Sequence, residues 1–272
     1  MDQEQPTATP KNENETGATA PILEFDRPHY RAINEARGAW LRRVVGQIPF
    51  LSELSTAVDV ACGGGYFCGV LRDLGFKVSG VDLRPENLDV CRERFPQFQF
   101  SQVNLDHPFS IERHDLVLVF GVLYHLQNPL TAIMQIGQTI GRIGIISTRA
   151  ARGDALAFYL FREHRGVAHN WSDAAAVPTF AAYVAMFRLA GFEYLYLPEP
   201  QPDHPEWRYA EHRHGKRYAF VVSREPVVAD GWRRIMPEPF PVKWDSPRWP
   251  NWLRKATRPA RAALRRIFGK GE

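Results

Sequence analysis

Apolar residues in this chain arrive in short runs separated by amphipathic stretches, and the alternation of the two sets the predicted architecture. Between Tyr30 and Val45, the positions Ala32, Ala36, Trp40 and Val44 recur at helical spacing, which predicts a helix with one face toward a core or a cavity. Strands are predicted at 56–61, 76–81, 98–103, 115–120 and 142–148, each an apolar run bounded by turn-forming residues. Helices at 66–74, 85–94 and 129–139 fall between them, the second opened by Pro85 in the first turn, where a missing N–H is no loss. Strand and helix in alternation predict an α/β fold, a doubly wound parallel sheet with helices on both faces.

The second half of the chain extends this pattern. A helical stretch is expected at Asp154–His164, a helix from Pro178 to Ala190 ending at Gly191, and strands at Phe192–Leu197 and Tyr218–Ser223, which brings the strands to seven. Residues 1–26 are polar and carry Pro6 and Pro10, so they read as a disordered segment. A domain over 27–225, a Pro-rich linker over 226–247 and a basic amphipathic tail over 248–272 complete the layout.

Candidate chemistry enters with the run Val58-Asp59-Val60-Ala61-Cys62-Gly63-Gly64-Gly65-Tyr66-Phe67, an apolar strand that ends in three glycines. Glycine is needed where φ is positive or where a Cβ would strike a ligand, and Asp82, ending the next strand, can accept from two ribose hydroxyls. Together they point to a nucleoside-bearing cofactor. A dinucleotide site would want a third small residue, and counting from Gly63 and Gly65 places Cys68 there, a poor fit for close helix–strand packing. Asp59 lies inside the strand, where its carboxylate can accept from loop amides or from a ligand ammonium.

These residues, together with Val81-Asp82 and the run His114-Asp115-Leu116-Val117-Leu118-Val119-Phe120-Gly121-Val122-Leu123-Tyr124-His125, resemble the class I S-adenosylmethionine-dependent methyltransferases from about Tyr30 to Arg224. The block Gly121-Val122-Leu123-Tyr124-His125-Leu126 is similar to the tRNA wobble-uridine carboxymethyltransferase group and to bacterial methyltransferases of small metabolites or glycans. The resemblance implies a Rossmann-like seven-stranded sheet with an antiparallel edge hairpin, and S-adenosyl-L-methionine as cofactor. One departure is Ala61, where the family usually has Gly; a methyl group there should be tolerable while narrowing the approach of the methionine part.

Site residues follow from what each part of that cofactor requires. Gly63 and Gly65 are expected to offer unobstructed amides to the sugar and methionine carboxylate, and Asp82 to take the ribose 2′ and 3′ hydroxyls. Asn104 and Asp106 both stand where the family holds adenine. Phe120 and Tyr124 leave the fourth strand at the rim where open α/β sheets bind ligands, so the methyl group belongs there. Transfer is an in-line displacement, and a hydroxyl or protonated amine acceptor must also lose a proton; His125 is the nearby side chain that titrates near neutrality. Two roles stay open for His125, general base or an imidazole pinning its loop through a backbone hydrogen bond. Tyr124 orients acceptor or cofactor, and in the wobble-uridine group the resemblance places it beside the sulfonium. A carboxymethyl variant of the cofactor would need cationic side chains near the methyl position, and none stands out along the chain.

Substrate-side residues are expected from the insert Phe161–Trp171 and from the loop Asp203–Tyr209 with Glu211-His212-Arg213-His214, for which plain solvated polarity is the competing reading. The histidines there lack a helical His-x-x-x-His pair or a thiolate partner, so no metal is assigned. Cys62, Cys68 and Cys91 are odd in number and widely spaced, which predicts buried small side chains and not disulfides.

Charge changes the picture only at the end of the chain. The net charge is +4, but residues 248–272 carry +7 and the remainder −3. Apolar residues from Trp249 to Phe268 recur opposite the basic ones, with Pro259 interrupting midway. Such a tail suits an anionic membrane surface or RNA phosphates, or packs on the domain with a solvated face. No run reaches 18 apolar residues and Met1–Gly17 is polar, so the expectation is a cytoplasmic protein, with peripheral contact at the inner face of the membrane as one of the uses open to the tail. Three functions remain: methyl transfer to a small-metabolite or glycan oxygen or nitrogen, modification of tRNA, and a catalytically inactive methyltransferase-like binding subunit. No stable protein partner is expected.

Overall fold

Five apolar runs form the parallel part of the sheet. In the computed structural model, which describes residues 27–163, 174–208 and 215–235, these are β1 (Thr56–Val60), β2 (Lys77–Asp82), β3 (Gln99–Gln102), β4 (His114–Phe120) and β5 (Ile140–Ala150), in spatial order 3-2-1-4-5. Parallel neighbours need crossovers, and helices α2 (Tyr66–Asp73), α3 (Pro85–Arg94) and α4 (Pro129–Thr139) supply them. The central strands are apolar at successive positions because both faces are covered. Leu116, Leu118 and Phe120 pack with Trp40, Leu71 and Leu88 on one face, while Val117 and Val119 pack with Ile133, Ile136 and Phe187 on the other.

Beyond β5 the sheet turns antiparallel. Strand β9 (Lys216–Ser223) lies between β5 and β8 (Tyr194–Pro198), antiparallel to both, and β10 (Trp232–Arg234) pairs antiparallel with β8 at the edge. Among the described residues the sheet therefore has eight strands, one more than the apolar runs predict. Three residues, two of them arginine, present no period from which β10 could be read. The expected antiparallel pair forms, but β10 covers its outer flank.

The largest departure follows β5. The stretch from Asp154, predicted helical, bends and then enters β6 (Phe158–Arg162), which pairs antiparallel with β7 (Ala174–Pro178) in a separate two-stranded sheet. Four consecutive aromatic or aliphatic residues, Phe158 to Phe161, favour extended backbone, and pairing with β7 outweighs the weak helical period. Because Pro178 completes β7, helix α5 (Phe180–Leu189) starts later than predicted. Its N-cap is Thr179, whose hydroxyl accepts from the Ala182 amide and donates to the Ala155 carbonyl at 2.6 Å.

Helix α1 (Pro28–Gly46) forms as predicted but is rotated from the expected face. Ala32 is exposed, and the buried face carries Ile33, Asn34, Arg37, Trp40, Leu41 and Val44. Two polar side chains on that face aim it at a cavity as well as at the core. The segment 1–26, the tail 248–272 and most of the linker lie outside the described residues. Among the described residues no helix is long and apolar enough to cross a membrane.

Candidate active site

The turn after β1 is built from left-handed backbone. Ala61 has φ +64, Gly63 +53 and Gly65 +81, and Ala61 is the one non-glycine residue with positive φ among those described. A Cβ on Gly65 would lie 3.0 Å from the Phe95 ring and 3.1 Å from Cys91 Sγ, so glycine is required there for space as well as for φ. The turn is closed on itself. The Gly65 amide donates to the Cys62 carbonyl at 2.9 Å, and the Gly63 amide donates to Asp82 Oδ2 at 2.9 Å. This corrects the expectation of unobstructed amides at Gly63 and Gly65: both are spent on shaping the turn, and what the glycines leave open is space. Cys62, Cys68 and Cys91 are free thiols buried beneath it, and the Cys91 thiol donates to the Gly63 carbonyl at 3.1 Å.

Asp82 is held in place on three sides. Besides Gly63, the Arg84 amide and Asn87 Nδ2 donate to its Oδ1 at 2.9 and 3.0 Å. A carboxylate has about four acceptor positions, so roughly one is left for a ligand hydroxyl. Asp59 is buried under the turn, where its Oδ2 accepts from the Cys68 thiol at 3.7 Å. Burial, with the Asp82 charge nearby, pushes the Asp59 carboxyl up to about 7.

Two cavities meet at the C-terminal ends of the parallel strands. The first is lined by Asp82, Asn87, Asn104, Leu105, Asp106 and Leu126, the second by Asn34, Arg37, Gly63, Tyr124, Arg149 and Arg217. Ala61, Phe120, Gly121 and His125 line both, which makes them the junction. Asn104 and Asp106 reach the first cavity as expected, and each also has a structural duty. Asn104 Oδ1 accepts from the Asp106 amide at 3.0 Å, and Asp106 Oδ1 accepts from the Gln127 and Asn128 amides at 2.7 and 3.2 Å. Phe120 lies edge-on to Phe67, ring centroids 4.8 Å apart, and forms an apolar wall of the junction.

Tyr124 and His125 stand in a dense charged cluster. The His125 imidazole bonds through Nδ1 to Glu163 Oε1 at 2.7 Å, so a carboxylate just past the end of β6 anchors the ring. Burial alone would lower the imidazole, but Tyr124 and Glu163 outweigh it and the net shift is upward. The Tyr124 hydroxyl accepts from Arg217 Nη1 at 3.3 Å. Burial would raise this phenol, yet Arg217, His125, Arg37 and Arg149 together bring it down to about 7. Glu206, in the short helix α6 (Pro205–Arg208), accepts from Arg149 Nη2 at 2.6 Å and Arg217 Nε at 2.5 Å. Its carboxyl is drawn down to about 2, burial being outweighed by Arg217 and Arg149.

The insert and the loop before β9 thus supply Glu163 and Glu206, as the mixed composition of both segments suggested. Arg37, Arg149 and Arg217 were not foreseen, and they correct the reading that no cation stands near the methyl position. Arg149 and Arg217 come from paired positions on β5 and β9, a register that local spacing does not reveal. The one local signal was a charged residue at the mouth of an otherwise apolar strand. His164–Trp171, Tyr209, His212 and His214 lie outside the described residues.

A glycine turn under a carboxylate at the end of the second strand, with two cavities at the sheet's rim, suits a nucleoside-bearing cofactor, and a methyltransferase domain model matches residues 58–146. Over this part of its length the chain is similar to the class I S-adenosylmethionine-dependent methyltransferases. Among curated relatives, a tRNA U34 carboxymethyltransferase of Pseudomonas aeruginosa is 28% identical over 147 residues, 50% of this chain and 44% of that protein. A ubiquinone biosynthesis O-methyltransferase of Bordetella avium is 25% identical over 119 residues, 42% of this chain and 47% of that one. The chain therefore spans less than half the length of these curated relatives. In fold it is similar to the N-terminal domain of EvdMO1 with SAH bound (TM-score 0.54, 17% identity, 70% of this chain and 81% of that one). It is likewise similar to an S-adenosylmethionine dependent methyltransferase from Mesorhizobium loti (TM-score 0.52, 15% identity, 70% and 100%).

Proposed function

We propose that the chain transfers a methyl group from S-adenosylmethionine to an oxygen or nitrogen of a small metabolite or glycan. The observation that carries this reading is the junction of two cavities at Phe120, Gly121 and His125, one suited to a nucleoside and the other open to Tyr124 and the charged cluster. The first cavity fits adenosine. Asp82 has an acceptor position to spare for a ribose hydroxyl, Asn104 and Asp106 offer polar groups for adenine, and the wall between them is apolar. Asp59 acts from beneath the turn, as part of its support.

When bound, the cofactor supplies an electrophilic methyl group on a sulfonium, and attack on it needs an acceptor atom about 3 Å away and in line. Holding that line is the work of Phe120 and Tyr124, whose rings border the second cavity. His125, fixed by Glu163 at Nδ1, takes the acceptor's proton at Nε2; the carboxylate makes the ring a stronger base than a free imidazole. Ala61 lines both cavities, so its methyl group narrows the passage between them.

Modification of a tRNA wobble uridine is the second reading, favoured by the matched curated relatives and by the arginines around Tyr124. A catalytically inactive binding subunit is the third. Titration calorimetry with S-adenosylmethionine separates the third from the others: saturable binding is expected, and no heat at millimolar cofactor overturns both enzyme readings. Incubation with methyl-labelled cofactor, a metabolite extract and bulk tRNA then separates the first two, with label expected in the small-molecule fraction.

A further inference from the structure

The second cavity holds more positive charge than its own acids balance. Arg37 and Arg217 are buried and Arg149 is largely so, and all three line it. Glu206 is clamped by Arg149 and Arg217, and Glu163 is engaged by His125. Among the described residues Arg37 has no such acid: its contacts there are Asn34 Oδ1 at 3.5 Å and the face of Trp207, 5.4 Å from the ring centroid. The Nε atoms of both Arg37 and Arg149 are buried and without a hydrogen-bond partner. Among the described residues at this end of the cavity, three guanidiniums against one clamped carboxylate leave two charges over. Burying an uncompensated charge is costly, and a fold keeps such a group where a ligand completes it.

Resting on the methyltransferase reading, we infer that this end of the cavity receives an oxyanion of the acceptor, a carboxylate or phosphate group, so that the acceptor is an anion. Guanidinium forks match either group, and two of the three already hold a planar carboxylate in Glu206. Tyr124 lies against the same arginines and accepts from Arg217, so a partly ionised phenol offsets some of the excess. Entry of an anion reverses that: the added negative charge favours the neutral phenol, and at neutral pH a fraction of a proton is taken up at Tyr124.

The test uses the full chain loaded with S-adenosylhomocysteine and titrated separately with inorganic phosphate and with acetate. Heat and tyrosinate absorbance are followed in the wild type and in Arg37→Met and Arg149→Met. The wild type is expected to bind one of the two probes with loss of tyrosinate absorbance, and each variant to bind it about tenfold more weakly. S-adenosylhomocysteine affinity should stay within about threefold. The stronger probe assigns the source as phosphate or carboxylate. Arg37→Lys, which keeps the charge and loses the fork, reads the same effect if Arg37→Met fails to fold. The inference is overturned if neither probe binds, if both variants bind the probe as the wild type does, or if S-adenosylhomocysteine affinity falls in parallel, which would give the arginines to the cofactor's carboxylate. It is also overturned if carboxymethyl-S-adenosylmethionine binds about tenfold more tightly than S-adenosylmethionine only while the arginines are intact, placing the anion on the donor. If S-adenosylhomocysteine itself does not bind, the methyltransferase reading falls, and the same titrations of the unloaded protein still decide whether the arginines hold an anion.

Discussion

Asp59 is a buried carboxyl that accepts from the Cys68 thiol, and its titration has a predictable sign. Burial raises it to about 7, so the folded state keeps a proton that the unfolded chain releases near pH 4. Its contribution to stability is full below pH 4 and is lost as pH rises to about 7, a cost of roughly 4 kcal/mol at alkaline pH. Asp59→Asn should flatten that slope in urea unfolding at pH 4 to 8; an unchanged slope would show that Asp59 is not the group responsible. For His125 the partner is decisive. Glu163→Gln removes the carboxylate that favours the imidazolium, so the acid limb of the kcat/KM profile should move to lower pH while the maximum rate falls. A limb that stays put would take His125 out of proton transfer. Tyr124 should appear as a tyrosinate absorbance rising around pH 7 and missing in Tyr124→Phe. Gly65 and Asp82 were legible from the chain because their chemistry is local, a turn and a strand end. Arg37, Arg149 and Arg217 were not, since nothing near them in sequence says that they converge on one tyrosine.

At the scale of elements, the turn after β1 carries a strain that the family's usual glycine avoids. Alanine in left-handed backbone costs about 1–2 kcal/mol, part of which glycine gives back through its unfolded-state entropy. Ala61→Gly should therefore raise unfolding stability by about 0.5–1 kcal/mol and widen the passage between the cavities. A loss of stability on that substitution would mean that the methyl group packs better than the backbone is strained. Within β4, fully buried Leu118 should cost about 3 kcal/mol as Leu118→Ala, read by the same unfolding measurement. The parallel strands and their helices were readable because continuous apolar runs alternating with amphipathic ones admit few arrangements. The β6–β7 pair was not, because Phe158–Phe161 is apolar enough to suit either period and only its partners at Ala175 to Pro178 decide for extended backbone. The rotation of α1 has the same cause: Ala32 fits the helical spacing as well as Ile33 does, and the cavity beneath selects Asn34 and Arg37.

For the whole molecule, the charge division between residues 1–247 and the basic tail separates two acceptors. If tRNA is the substrate, deleting 248–272 should weaken tRNA binding, and the loss should shrink as salt is raised; an anionic membrane surface predicts lost binding to phosphatidylserine vesicles instead. Neither outcome alters the proposed cofactor site, whose residues come from 59–126. A crystal structure of the complex with S-adenosylhomocysteine examines that site most directly. Adenosine should occupy the first cavity, with a ribose hydroxyl on Asp82 and the sulfur beside Phe120, Gly121 and His125. A nucleoside seated anywhere else, or an Asp82 still bonded only to Gly63, Arg84 and Asn87, would contradict the account.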